Sequence, residues 1–208
     1  MEEDEQTPKS LPPWVELEYA HMRIFAGPEA HVQFTHLSKA SSSSLTKIFA
    51  ENSDPTLAKA TSYTEGVIEI LEKSGIPIEK VCLLDPRAEK ELSPEDGDGR
   101  FDCFLFGGIL GDDPPRDRTG ELRALGFPGR RLGPVQMTTD TALGVTKLVV
   151  DDRIPLDEIP YIDFPTIRFN AKESVEMPFR YIKQGDEPRL PPGMKELLYE
   201  DLNKGFDF

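Results

Sequence analysis

The residues best suited to chemistry lie between Phe101 and Thr141, in the run FDCFLFGGILGDDPPRDRTGELRALGFPGRRLGPVQMTTDT. Phe101, Cys103, Phe104, Leu105 and Phe106, interrupted only by Asp102, read as a buried parallel strand. Gly107, Gly108 and Gly111 follow; glycine permits positive φ and lets the backbone approach a ligand with no Cβ in the way. Next come two carboxylates, Asp112 and Asp113, then two prolines and a basic segment. A second turn, Arg130 to Gly133, precedes a helix that opens with Thr138, Thr139 and Asp140, all able to accept from free N-terminal amides. Two such turns close in sequence predict one shared ligand pocket.

Each feature also has a purely structural reading. Isolated glycine patterns often do no more than make tight turns. Asp113 before Pro114 and Pro115, and Asp140 at a helix start, are both natural caps, whereas Asp112 has the weakest structural reason for its place. His21, His31 and His36 lie far from the glycine turns and lack acidic or cysteine partners at ligand spacing, so no metal site is expected. Ser41 to Ser44 lacks the strand, turn, helix context of a nucleophile elbow, which sets hydrolase chemistry aside. Cys82 and Cys103 fall in apolar runs with no CxxC spacing and are expected to be buried, reduced core residues.

The chain has 208 residues, enough for one well-buried α/β core, and a single domain over 1–208 is expected. With 38 acidic against 24 basic side chains the net charge is -14, which repels a phosphate backbone and attracts basic protein surfaces. Bulk nucleic-acid binding is therefore disfavoured. Arg116, Arg118, Arg123, Arg130 and Arg131 could still form a local basic patch, or simply a solvated helix face. No apolar run reaches the ~18 residues a bilayer span needs, and no signal-peptide pattern precedes Trp14, so the expectation is a reducing cytoplasm with no membrane contact.

The elements that must position these residues follow from patterning. Residues 1–13 form an acidic, flexible entry before Pro12 and Pro13 start a helix at Trp14, in which Val15, Tyr19, Met22 and Phe25 recur at helical spacing until Gly27. His31 to Ser38 reads as a short strand, and the following serine run as a loop or helix start. Ser62 to Glu65 has the S-x-x-E form of a capping box ahead of a helix ended by Gly75 and Pro77. Val81 to Leu84 is a wholly apolar strand closed by Asp85 and Pro86. Strand, helix, strand order favours a parallel sheet whose crevices lie beyond the carboxyl ends of its strands. Glu89 to Arg100 reads as an exposed loop, Arg116 to Leu125 as a short helix, and Thr139 to Val150 as a longer one. Residues 155–208 form a proline-rich extension with brief apolar pieces at Ile159 to Phe164 and Phe179 to Ile182 and a last helix from Met194 to Leu202.

The segments VCLLDPRA (81–88), FLFGGILGDDPPRDRTGELR (104–123), RRLGPVQMTTDTA (130–142) and MPFRY (177–181) resemble the fungal protein-arginine methyltransferase family of the SPOUT superfamily. The resemblance implies an α/β fold in which helices flank a parallel sheet and a C-terminal trefoil knot holds S-adenosylmethionine. It implies methyl transfer to an arginine of a basic small-subunit ribosomal protein by a monomer. The cofactor loops it implies are Leu84, Asp85 and Pro86; Gly107, Gly108 and Gly111; and Arg131, Leu132, Gly133, Gln136, Met137 and Thr138. For an arginine acceptor, carboxylates must orient a protonated, delocalised guanidinium and receive its proton, which nominates Asp112 and Asp113 first and Asp140 third. The competing readings are a SPOUT-type RNA methyltransferase, with RNA disfavoured as a direct substrate, and a non-catalytic acidic chaperone for a ribosomal protein. Relatives in the resembled family carry an apolar strand ahead of the segment aligned with Met1 and Glu2. Either the true start lies upstream or this form lacks an edge of the sheet.

Overall fold

A computed structural model of the chain describes residues 11–108, 117 and 119–204. Helix α1 (Pro13–Ala26) begins on prolines whose fixed φ suits a first turn, and ends at Gly27, where φ is +77°. Val15, Tyr19, Met22 and Phe25 are buried as their spacing predicts. Glu18, His21 and Arg23 are buried with them, and the Arg23 guanidinium donates to the carbonyls of Ala58 and Asn52 at 3.0 and 3.2 Å.

Strand β1 (His31–Phe34) pairs in parallel with β2 (Lys59–Ser62), and α2 (Lys39–Glu51) joins them. The serine run lies inside α2, whose N-cap Ser38 accepts from the Ser41 amide at 3.1 Å. One element here was not anticipated and one expectation fails. The polar segment KATS is a strand that the sequence did not announce, and the Ser62 to Glu65 pattern is not a capping box. Ser62 closes β2, while α3 (Val67–Ser74) starts after Gly66 with no side-chain cap, and Glu65 instead pairs with Lys73 at 3.0 Å.

The centre of the fold is β3 (Val81–Leu84), every residue of it buried. It lies between β4 (Cys103–Phe106) and β5 (Gly129–Arg130), parallel to both, giving the order β4-β3-β5. Strand β4 is only half-buried, against expectation for an all-apolar run, and Cys103 is half-buried with it. The segment 89–100 also differs from an exposed loop. It contains a 3₁₀ turn, Pro94–Gly97, that seats Leu92 and Asp96 in the interior, and the Asp96 carboxylate takes both the Ser93 amide and a two-bond fork from Arg130.

Helix α4 spans Gly120–Ala124, shorter than the predicted Arg116 to Leu125, and α5 spans Thr139–Val150. Helices α1 and α5 pack closely, with Gly144 set against the Phe25 ring. The C-terminal extension holds two antiparallel sheets. One orders β6 (Tyr161–Asp163), β9 (Arg180–Gln184) and β10 (Glu187–Pro188) with β9 central; the other pairs β7 (Thr166–Arg168) with β8 (Ser174–Glu176). Helix α6 (Met194–Lys204) follows. Among the described residues no helix is long and apolar enough to cross a membrane.

Candidate active site

Beyond the carboxyl ends of β3 and β4, where ligands of parallel sheets collect, lies a cavity of about 310 Å³. Leu84, Asp85, Pro86 and Arg87 form one wall and Phe106 and Gly107 a second. The loop from Leu132 to Met137 forms the third, with Thr139 and Ala142 of α5 beneath it. Asp117 and Thr119, at the start of α4, close the rim. Three segments far apart in sequence thus meet around one space whose size falls at the lower end of small-ligand pockets, about 300 to 1,000 Å³.

Asp85 does not project freely into this space. Its carboxylate, 2% exposed, accepts from Arg123 Nε at 2.5 Å and Nη2 at 2.8 Å, from Thr119 Oγ1 at 2.9 Å and from the Arg87 amide at 3.0 Å. The Arg123 hydrogen bonds hold the Asp85 carboxyl below the ordinary carboxylate range, helped by the Arg87 amide and Thr119 and opposed by burial. Asp117 accepts from Arg123 at 3.2 Å and pairs with Arg87 at 3.0 Å, so both arginines are anchored at the rim.

The third wall is held from behind. The Arg180 amide donates to the Gln136 carbonyl at 2.8 Å, and Met137 and Arg180 form an isolated parallel bridge, which ties the loop to β9. Arg180 itself is fixed by a fork to Asp163, at 2.6 and 2.8 Å. Gly133 turns the loop at φ +91°, a conformation that strains any other residue. Among the described residues Gln136 Nε2 is buried without a partner, and Gln136 lines the cavity.

Of the sequence-nominated residues, Leu84, Asp85, Pro86, Gly107, Leu132, Gly133, Gln136 and Met137 line this cavity. Gly108 lines a different, larger cleft, and Gly111, Asp112 and Asp113 lie outside the described residues. Arg131 turns away to Glu91 at 3.2 Å, and the Thr138 hydroxyl donates to Thr141 at 2.9 Å without capping α5. Asp140 corrects the expectation most sharply. It neither lines the cavity nor caps α5; it is 1% exposed and meets His21 Nδ1 of α1 at 2.7 Å. The arginine patch is also absent among the described residues, because Arg123, Arg130 and Arg131 each face a carboxylate.

Around the His21–Asp140 pair lies a buried polar cluster that the sequence did not reveal. Burial, and secondarily the charge of Asp140, push the Glu18 carboxyl up to about 8. Burial raises the Tyr181 phenol too, with the charges of Asp140 and Glu18 adding to it. The rim residues Asp117 and Thr119 were likewise missed as site residues. A signal existed for them, since RDRTGELR carries acid, hydroxyl and arginine at spacings that one turn of chain can bring together.

The geometry agrees with what the chain resembles as a whole. Over 134 residues it is 53% identical to the protein arginine N-methyltransferase SFM1 of Saccharomyces cerevisiae, a stretch amounting to 62% of this chain and 62% of that relative's length. The structure matches that of the yeast arginine methyltransferase SFM1 complexed with SAM, with a TM-score of 0.79 at 38% identity, covering 94% of this chain and 88% of that one. The complex of the same yeast enzyme with SAH matches with a TM-score of 0.78 at 38% identity, over 92% and 91% of the two chains. Residues 1–205 match the family described as protein arginine N-methyltransferase SFM1-like, and the chain belongs to that family.

Proposed function

We propose that this chain is an S-adenosylmethionine-dependent methyltransferase acting on an arginine side chain of a basic small-subunit ribosomal protein. The observation that carries the reading is the convergence of Leu84 to Arg87, Phe106 and Gly107, and Leu132 to Met137 on one cavity beyond the ends of a parallel sheet. Family membership over residues 1–205 supports it. The SPOUT arrangement with a C-terminal trefoil knot is part of the same reading. It is supported by the order β4-β3-β5, in which the latest of the three strands returns beside β3.

The residues fit an adenosine-bearing cofactor. Leu84, Phe106, Leu132, Val135 and Met137 supply apolar walls for a flat ring, and Gln136 Nε2 is a donor with no partner among the described residues. When bound, S-adenosylmethionine supplies an electrophilic methyl group on a sulfonium centre. The chain's part is to bind, to orient and to exclude water. The Asp85–Arg123–Asp117 ion group keeps the Leu84 to Arg87 wall in place, and β9 keeps the Gln136 wall in place.

An arginine acceptor arrives protonated, so a carboxylate must pair with the guanidinium and take its proton. Asp112 and Asp113, on the connection between Gly107 and Thr119, hold that role in this reading, and Asp117 lines the cavity at the near end of the same connection. A net charge of -14 favours a basic protein partner in the cytoplasm and a monomeric enzyme that meets it by charge. The ion-paired state of Arg123, Arg130 and Arg131 counts against RNA as the acceptor.

The test is calorimetric titration with S-adenosylmethionine, followed by transfer of labelled methyl to purified small-subunit proteins or to ribosomal and transfer RNA. Cofactor uptake with label on an arginine of one basic protein is expected. Label confined to RNA would establish the RNA methyltransferase reading instead. Tight binding of a ribosomal protein without cofactor uptake would make the chain a chaperone.

A further inference from the structure

The rim of the cofactor cavity already holds a guanidinium on a carboxylate, and the holding is loose. Asp117 lines the cavity with Arg87 beside it. Its Oδ2 meets Arg87 Nη1 at 3.0 Å and accepts from Arg123 Nη1 at 3.3 Å. Its Oδ1 accepts from Arg123 Nη2 at 3.2 Å and lies 3.2 Å from the Thr119 hydroxyl, whose one proton is also within reach of the nearer Asp85 Oδ1 at 2.9 Å. Each carboxylate oxygen has two lone pairs, so both positions on Oδ2 are in use. A guanidinium from outside reaches that oxygen only by replacing a donor.

The two donors are unequal. Arg123 is locked by its fork to the buried Asp85, at 2.5 and 2.8 Å, and cannot leave without exposing that carboxylate to an unpaired state. The Arg87 side chain is 68% exposed, and among the described residues its guanidinium meets Asp117 alone. Its backbone amide stays on Asp85 Oδ1 at 3.0 Å, so the side chain can swing out while the main chain keeps its place in the cavity wall. Exposed ion pairs are weak and screened by salt, which makes Arg87 the donor that gives way. The charge of Asp117 does not depend on it. Arg123 holds the Asp117 carboxyl below the ordinary carboxylate range against the opposing effect of burial, Thr119 helps, and Arg87 adds least.

Charge fixes what takes the vacated position. Asp85, Asp117, Arg87 and Arg123 together are neutral. With Arg87 swung out, one negative charge at the cavity mouth is left without a counter-ion, and a single incoming guanidinium cancels it. Its planar fork of donors matches a carboxylate, whereas an ammonium is a compact, strongly hydrated point charge that gives up less readily its contact with water. A neutral side chain has no means of displacing Arg87 at all.

We propose that Asp117 is the docking carboxylate for the acceptor arginine and that Arg87 is a place-holder which the acceptor displaces. The inference rests on the methyltransferase reading for what the docked arginine is there to receive. Asp112 and Asp113 keep the proton-accepting role given to them in that reading; Asp117 positions the guanidinium at the wall of the cavity that holds the methyl donor. Exchange of one guanidinium for another conserves the charge of the rim, so the acceptor docks and leaves without unpairing Arg123 or Asp85.

The probe is the peptide GKGRGKG, compared with versions in which citrulline or lysine replaces the arginine. Citrulline keeps the shape of arginine without its charge. Heteronuclear NMR of the arginine side chains of the full chain follows Arg87 and Arg123 separately, and the same titrations yield dissociation constants. The arginine peptide should move the Arg87 Nε signal toward that of a solvated arginine, leave that of Arg123 in place, and bind more tightly than either comparison peptide. Arg87→Gln removes the competitor, so affinity for the arginine peptide should rise by roughly two- to fivefold, the range of one exposed ion pair. Asp117→Asn removes the dock and should lower that affinity by roughly tenfold. The opposite signs separate docking from a merely structural bond, which is lost equally whichever partner is changed. Three results would each overturn the proposal: both variants shifting affinity in the same direction, the parent binding a comparison peptide as tightly as the arginine peptide, or an Arg87 signal that does not move. None of these measurements involves methyl transfer. A chain that discriminates the peptides as expected yet takes up no S-adenosylmethionine in calorimetry would overturn the methyltransferase reading alone.

Discussion

The Asp85 carboxylate and the Arg123 guanidinium meet in a two-bond fork, Nε to Oδ2 at 2.5 Å and Nη2 to Oδ1 at 2.8 Å, that pins the turn after β3 to helix α4. Arg123→Met removes the fork and leaves a buried acceptor short of partners, a loss that costs about 1–3 kcal/mol. The expected result is a lower urea midpoint together with weaker S-adenosylmethionine binding by calorimetry. Lower stability with unchanged cofactor affinity would separate this ion group from the cavity. Since the folded-state pKa of Asp85 is depressed, its stabilisation is complete above the ordinary carboxylate range and fades as pH falls through the folded value.

Glu18 carries the opposite sign. With its carboxyl raised from 4.5 to about 8, the folded chain keeps a proton that the unfolded chain has already released. Its contribution is full below 4.5 and is lost as pH climbs toward 8. Glu18→Gln should flatten that part of the profile, so the variant gains on the parent between pH 5 and pH 8 in chemical unfolding. Parallel profiles for the two proteins would place the titration elsewhere.

Gly144→Ala sets two effects of known size against each other. Alanine favours a helix interior by about 1 kcal/mol over glycine. The new Cβ would sit 2.7 Å from Cδ1 and Cε1 of Phe25, a buried ring that itself stacks on His21 with centroids 4.3 Å apart. Overpacking a filled core typically costs about 1–3 kcal/mol, so the net change in urea unfolding should be destabilising. A stabilised variant would mean that α1 and α5 slide apart easily.

Gln136→Leu should divide binding from stability. Removing a buried donor that has no partner among the described residues should leave unfolding nearly unchanged or slightly later. If Nε2 serves the cofactor, affinity for S-adenosylmethionine falls by roughly tenfold, the equivalent of ~1.4 kcal/mol. Equal affinity in the variant would take Gln136 off the cofactor.

What was legible in the sequence was what local pattern determines. Val81 to Leu84 is apolar without interruption because helices cover both faces of β3, and α1 and α5 repeat their apolar residues at helical spacing for the same reason. Cavity walls were legible where a strand end and a turn coincide, at Leu84 to Pro86 and at Leu132 to Gly133. The failures came where partners are distant. His21 and Asp140 are 119 positions apart, so nothing near either announces their pairing, and Asp140 looked like a cap. Lys59 to Ser62 is polar yet a strand, because its pairing with β1 depends on backbone and not on side chains. Asp96 looked solvated until Arg130, far along the chain, folded onto it.

The bond between the Arg180 amide and the Gln136 carbonyl has a consequence for synthesis on the ribosome. Every described residue that lines the cofactor cavity lies at or before Ala142, yet the loop containing Gln136 is fastened by a strand that emerges only with residue 180. At about 5–20 residues per second, the nascent polypeptide spends some seconds with its cavity walls made and one of them unfastened. Cofactor capture should therefore be a late event in the life of each new chain, and messages cut short before codon 180 should yield products that ignore S-adenosylmethionine.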